Sequence, residues 1–392
     1  MRLPDESQPK RPLVDWTARQ IHDPVWRLRY LRSVALAAPA PAPARRMRWK
    51  SRKTMGLLTL LALGLVVAPL SLRVPGAANA ASPPLPTPPP IVRMEPAVAP
   101  AADVWPVEKN SHFEIYSNGL RIENQYAVSH RPRAYVAYSL DYPEATGGER
   151  RSDPAGIVYH TTESLQAPFE PSQNNLLKRV GESLLDYVRR RRCYNFLIDR
   201  FGRVFRIVNE SDAADHAGHS VWADDRHFYV NLNDSFIGIS FEAQTGAGDT
   251  RTSAGSAQVR AAAMLTEMLR SRYKIPGRNC VTHAQVSVNP SNMQIGYHVD
   301  WASSFPFEKL GLPDNYATPS PAVSLFGFAF DTSYEQRAGV RLAAGAVEAD
   351  RELMERARRT HLSLAAYRKA LHTRYLKILA NQRGSVFVLG GA

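Results

Sequence analysis

The stretch GIVYHTTES, residues 156–164, decides how the rest of the chain is read. Gly156 to Tyr159 form an apolar run of the length of a buried strand, and the chain turns polar at Thr161, Thr162 and Glu163. His160 therefore stands at a strand end. Two later stretches offer it partners: CVTHAQVSVNP carries His283 at the end of a second short strand, and GYHVDWASSFPF carries His298 and Asp300. Two imidazoles and a carboxylate give zinc three protein ligands and leave a fourth position open, the pattern of a hydrolytic metal site.

Moving outward, residues 172–192 read as an amphipathic helix with Leu176, Leu177, Val180, Leu184, Leu185 and Val188 on one face. CYNFLIDRFGRVFRIV predicts two strands around a turn at Phe201 and Gly202. SDAADHAGHSVW reads as a loop, SFIGISFEAQ as a buried strand, and SAQVRAAAMLTEMLRSRYKI as a helix that stops before Pro276. Strands and helices alternate, which predicts an α/β domain with a mixed central β-sheet flanked by helices. Upstream, FEIYSNGLRI has an Asn118-Gly119 turn between alternating apolar residues, an N-terminal β-hairpin extension, and the β pattern runs on to about Leu140. Residues 145–154 read as a turn and 313–321 as loop. Beyond them, GVRLAAGAVEADRELMERARRTHLSLAAYRKALHTRYLKIL predicts a C-terminal helical tail of two or three helices. It shows no catalytic constellation, and its expected role is packing on the α/β domain or pairing with another subunit.

The ends differ in character. Residues 1–53 are basic and then Ala/Pro-rich, with the composition of a disordered region. Residues 54–80 contain the apolar run Met55 to Leu72 and end on Ala78, Asn79, Ala80, the layout of a signal peptide cleaved after Ala80 or of a membrane anchor. Translation starting at Met47 gives such a signal an ordinary length. Either reading sends the remainder out of the cytoplasm, to the periplasm or cell envelope. Residues 81–103 form a stiff proline-rich linker, 104–312 the α/β domain with its core at 150–312, and 313–392 the loop and tail.

The formal net charge is +13, yet residues 1–53 alone carry 13 Lys/Arg against 4 Asp/Glu. What remains is too little for the clustered basic footprint of a nucleic-acid partner, which is excluded on that ground. Residues 331–383 hold 11 basic and 6 acidic residues, either a solvated helix surface or an attraction to an anionic envelope polymer or membrane. Cys193 and Cys280 both fall at predicted strand starts, as a disulfide or as two buried thiols. His219, His227, His361 and His372 read as surface residues.

The ordered set GIVYHTTES, CYNFLIDRFGRVFRI, DHAGHS, NDSFIGISFE, SAQVRAAAML, THAQV and HVDWASSFPF resembles the zinc-dependent N-acetylmuramoyl-L-alanine amidases and peptidoglycan recognition proteins, over about residues 150–312. The resemblance implies a Zn2+ held by His160, His283 and Asp300. It places Tyr194 beside the activated water, His298 at a position where many members carry lysine, and His216 at the substrate groove. The acidic residue that some members carry falls at Ser240, with Glu242 two positions on and on the same strand face. On this reading Tyr194 or Glu242 takes a proton from water, and His298 donates to the oxyanion or the leaving amine. His298 as third ligand, with Asp300 hydrogen-bonded behind it, is the alternative. Trp301, like Trp222 and Phe305, is either core or a substrate contact. The implied reaction is hydrolysis of the amide between N-acetylmuramic acid and L-alanine in peptidoglycan. A binding module without catalysis and a zinc hydrolase of another amide are the alternatives.

Overall fold

A computed structural model describes residues 102–142, 147–245 and 254–388, with side chains up to 382. The basic N-terminal region, the signal or anchor segment with its apolar run 55–72, and nearly all of the proline-rich linker lie outside the described residues. Among the described residues no helix is long and apolar enough to cross a membrane.

The strands in chain order are β1 (Pro106–Lys109), β2 (Phe113–Tyr116), β3 (Arg121–Glu123), β4 (Tyr135–Ser139), β5 (Glu149–Arg151), β6 (Gly156–Thr161) and β7 (Phe196–Ile198). They continue with β8 (Val204–Arg206), β9 (Val221–Ala223), β10 (His227–Val230), β11 (Phe236–Phe241), β12 (Cys280–Thr282), β13 (Val288–Asn289) and β14 (Gln294–Ile295). The main sheet has the order β1-β2-β3-β8-β7-β11-β6-β12. Its centre is parallel, with β11 between β6 and β7 and β12 on the far side of β6, while β7 and β8 pair antiparallel. β6 and β11 are buried along their whole length, as parallel strands covered on both faces must be.

Two helices cover those faces. Asn174–Arg191 buries Leu177, Leu184, Leu185 and Val188 against Leu197 and Phe205, each apolar side chain contributing roughly 2 kcal/mol on burial. Arg189, Arg190 and Arg191 in its last turn face the negative end of the helix dipole. On the opposite face Ser256–Tyr273 buries Leu265, Met268 and Leu269. Gln258 in its first turn donates to the carbonyls of Ile198 and Glu242, fixing the helix to the ends of β7 and β11.

The hairpin β2–β3 forms at the Asn118-Gly119 turn and adds to the sheet through the parallel pair β3–β8. The β pattern that follows it leaves the main sheet: β4 joins β5, β10 and β9 in a second sheet of four strands. Two features of that sheet depart from the sequence reading. β5 falls inside the presumed turn 145–154, and β9–β10 form a hairpin between the His-containing loop and β11.

After β12 come a short helix, His283–Val286, and the two-stranded pair β13–β14. These take up the long step between His283 and Asp300. The helices Pro321–Phe326, Thr332–Arg359 and Leu364–Val388 complete the chain. One hydrophobic cluster runs from Ile157 and Phe241 through Trp301 and Tyr316 to Tyr334, Leu353 and Tyr375, so the packing shows no seam at residue 312. Cys193 and Cys280 are free thiols, the first partly exposed and the second buried.

Candidate metal centre

The C-terminal ends of β6 and β12 lie side by side, with Thr282 opposite Tyr159, which sets His160 and His283 next to each other. Their ring centroids are 4.5 Å apart. Asp300 completes the group: one carboxylate oxygen is 3.0 Å from His283 Nδ1, and the other is 3.4 Å from His160 Nδ1. One ligand atom from each of the three residues lies within 4.8 Å of the others, and all three residues are buried.

The hydrogen bonds behind His160 determine which of its nitrogens is free. His216 Nε2 lies 3.2 Å from the Phe236 carbonyl, which can only accept, so that nitrogen carries the proton. In the neutral ring Nδ1 then accepts, and it meets His160 Nε2 at 3.1 Å, so His160 is protonated at Nε2. The lone pair of His160 Nδ1 therefore faces the Asp300 carboxylate. Lone pair against carboxylate is repulsive unless a cation sits between them, and the geometry fits a zinc ligand set. His283 Nε2 is buried with no hydrogen-bond partner among the described residues, so nothing there commits its proton.

Burial, followed by the charge of His283, pushes the His160 imidazole down to about 4. Burial likewise holds His216 well below the ordinary imidazole range. Burial opposes ionisation of Asp300, but His283 and His160 beside it hold its carboxyl well below the usual range. The result is a neutral His160 imidazole and an ionised Asp300 carboxylate, the protonation states that zinc needs of these two ligands.

His216 is itself placed by two devices. Gly238 on β11 lies under its ring, where a Cβ would stand 2.6 Å from the imidazole. The Phe236 carbonyl also accepts from Arg133, a buried guanidinium that donates to the carbonyls of Glu210, Asp212 and Asp234 as well. Nothing in the sequence marked Arg133, because its partners are backbone carbonyls of one loop, of the short helix Leu232–Ser235 and of the start of β11.

The remaining candidates divide. Tyr194, at φ 62°, brings its ring to 5.2 Å from that of His160. Burial pushes its hydroxyl well above the ordinary phenol range, which keeps the phenol neutral and able to donate a hydrogen bond. His298 stacks on His283 with centroids 4.2 Å apart, at the side of the group and not within it. Glu242 is engaged elsewhere. It accepts from the Arg200 backbone N–H and lines a cavity of about 670 Å3 between the helix Asn174–Arg191 and the β7–β8 hairpin. One strand across and two residues along from His160, it is about 8 Å away by sheet geometry. Ser240 stands opposite His160 itself.

Trp301 corrects the expectation of a substrate contact. It is 1% exposed, packs edge-on against Phe241 and Phe305, and donates from Nε1 to the His160 carbonyl at 3.0 Å. Trp222 is also core, its Nε1 on Asn279.

Residues 150–295 match a family model described as N-acetylmuramoyl-L-alanine amidase, so Asp300 lies just past the matched segment. No curated protein matches the chain. Among solved structures, the N-acetylmuramoyl-L-alanine amidase LysC of Clostridium intestinale URNW is 19% identical over 47% of this chain and 93% of its own, with a TM-score of 0.25. AmiD of E. coli, solved with anhydro-N-acetylmuramic acid-L-Ala-D-gamma-Glu-L-Lys, is 17% identical over 63% and 98%, with a TM-score of 0.34. Drosophila PGRP-LB is 12% identical over 42% and 85%, with a TM-score of 0.26. Residues 150–295 are thus similar to the N-acetylmuramoyl-L-alanine amidase family, and the rest of the chain lies outside the matched segment.

Proposed function

We propose that this protein is a zinc hydrolase that cleaves the amide between N-acetylmuramic acid and L-alanine in peptidoglycan. The observation that carries the reading is the buried convergence of His160, His283 and Asp300 within the family-matched α/β domain and its immediate continuation. Zinc, when bound, would polarise the scissile carbonyl and make water nucleophilic near neutral pH.

The chain's own residues do the rest. His216 keeps the proton of His160 on Nε2 and so leaves Nδ1 available. Asp300 supplies the negative charge that makes a dication welcome in a buried site. Tyr194, protonated and beside His160, donates a hydrogen bond to oxygen as charge develops there. His298 at the rim delivers a proton to the departing amine. The signal-like segment 54–80 points to work in the cell envelope, where that amide is found.

Zinc content by elemental analysis, together with release of N-terminal alanine from purified peptidoglycan, tests the reading on the full chain and on Asp300→Ala. One zinc per chain and alanine release, both lost in the variant, is the expected result. Zinc without alanine release would move the activity to another amide. Neither zinc nor release, with binding to peptidoglycan retained, would leave a recognition module.

A further inference from the structure

We propose that the C-terminal helical extension is a working part of the metal centre, in which Tyr334 and Gly339 hold the two ends of the arc 296–303 that carries Asp300. The inference rests on the reading of Asp300 as a metal ligand. It assigns a role to a segment that lies beyond the family-matched residues.

Asp300 stands on neither a strand nor a long helix. It follows the short β13–β14 pair, in a stretch where Met293, Trp301 and Ser304 all have positive φ. Such an arc has no backbone ladder of its own to fix it, so its shape depends on what it rests against.

At its leading end, Ile295 N–H donates to the Ala329 carbonyl at 2.9 Å and Ala329 N–H to the Met293 carbonyl at 2.8 Å. Tyr334, 3% exposed, lays its ring on Gly296, where a Cβ would stand 2.5 Å from it. At the trailing end, the helix Thr332–Arg359 is broken at Gly339, with φ 71° and ψ 157°. That region of backbone space is open essentially to glycine alone. The break falls where the helix meets the arc, and a Cβ on Gly339 would stand 2.9 Å from Ser303 Cβ.

A third support comes from Tyr316, fully buried, whose hydroxyl donates to the Trp301 carbonyl at 2.8 Å and accepts from Phe305 N–H at 3.0 Å. Between these supports the Asp300 carbonyl accepts from Ala284 N–H at 3.3 Å, next to the second ligand. The carboxylate is thus suspended between the His283 helix and the tail. Tyr334 and Gly339 are positioning residues.

The test uses the full chain as wild type, Gly339→Ala and Val340→Ala, the last at a neighbouring position that is 88% exposed. Amide hydrogen exchange over residues 293–305 and zinc affinity by chelator competition are read together. Gly339→Ala should speed exchange across the arc and weaken zinc by about tenfold or more, the usual scale for loss of a ligand's support, while Val340→Ala behaves as wild type. A folded Gly339→Ala protein with wild-type exchange and affinity overturns the proposal. Should that variant fail to fold, Tyr334→Leu, which keeps an apolar side chain over Gly296, is put to the same two measurements with the same criterion. Faster exchange in the variant of a protein whose wild type takes no zinc would uphold the clamp and overturn the proposed function instead.

Discussion

His216 and His160 meet nitrogen to nitrogen, Nδ1 to Nε2 at 3.1 Å, and the Phe236 carbonyl beyond His216 makes that contact directional. His216→Ala should therefore weaken zinc by about 10- to 100-fold with little change in fold. Gly238→Ala should do the same while leaving the histidine in the sequence, by driving a Cβ into its ring. Chelator competition on both variants is the check, and undiminished affinity in both would remove His216 from the metal centre.

Tyr194→Phe keeps the ring beside His160 and removes only the hydroxyl. Loss of a donor to developing charge costs on the order of 100-fold in turnover. Steady-state rates with zinc content measured on the same sample should show a lower kcat at full metal loading.

Glu242→Gln separates two ideas about this carboxylate. Burial raises its carboxyl above the ordinary range, as suits a proton acceptor, but it faces the cavity beside Arg200 and not the ligand group. Turnover should stay within a few-fold of wild type, and any effect should be on KM. A kcat loss of about 100-fold or more would restore Glu242 as the base.

Acid sensitivity should come in part from Glu114. Its burial works against ionisation, but hydrogen bonds from Arg206 and Tyr116 bring its carboxyl down to about 2 from an ordinary 4.5. A depressed carboxylate stabilises fully above its unfolded value and loses that contribution as pH falls from about 4.5 towards 2. Glu114→Gln should lower Tm at pH 7, and the gap from wild type should narrow across that window.

The sequence pattern made the strand ends and the three converging ligand types legible because short apolar runs and histidines at their ends carry a local signal. It could not mark His216 as the residue that sets the His160 proton, since that depends on a carbonyl 20 residues away. Glu242 has the strand face that alternation predicts; what alternation cannot show is the Arg200 N–H that engages it. Trp301 beside a ligand reads alike for core and surface, and only three-dimensional packing against Phe241 and Phe305 decides. Gly339 was hidden inside an amphipathic helical pattern, where a break at a single residue beside Ser303 leaves no periodic trace.

The hydrogen bond from Trp301 to the His160 carbonyl spans 141 residues of sequence, and the arc that carries it rests on residues later still. During synthesis, a chain that has emerged only through residue 312 holds all three ligand types but lacks Tyr316, Tyr334 and Gly339. Contacts of such separation form late in folding. Metal uptake here would follow completion of the chain, the reverse of small zinc domains whose ion drives their folding, and an unfinished molecule would lack the supports of its third ligand.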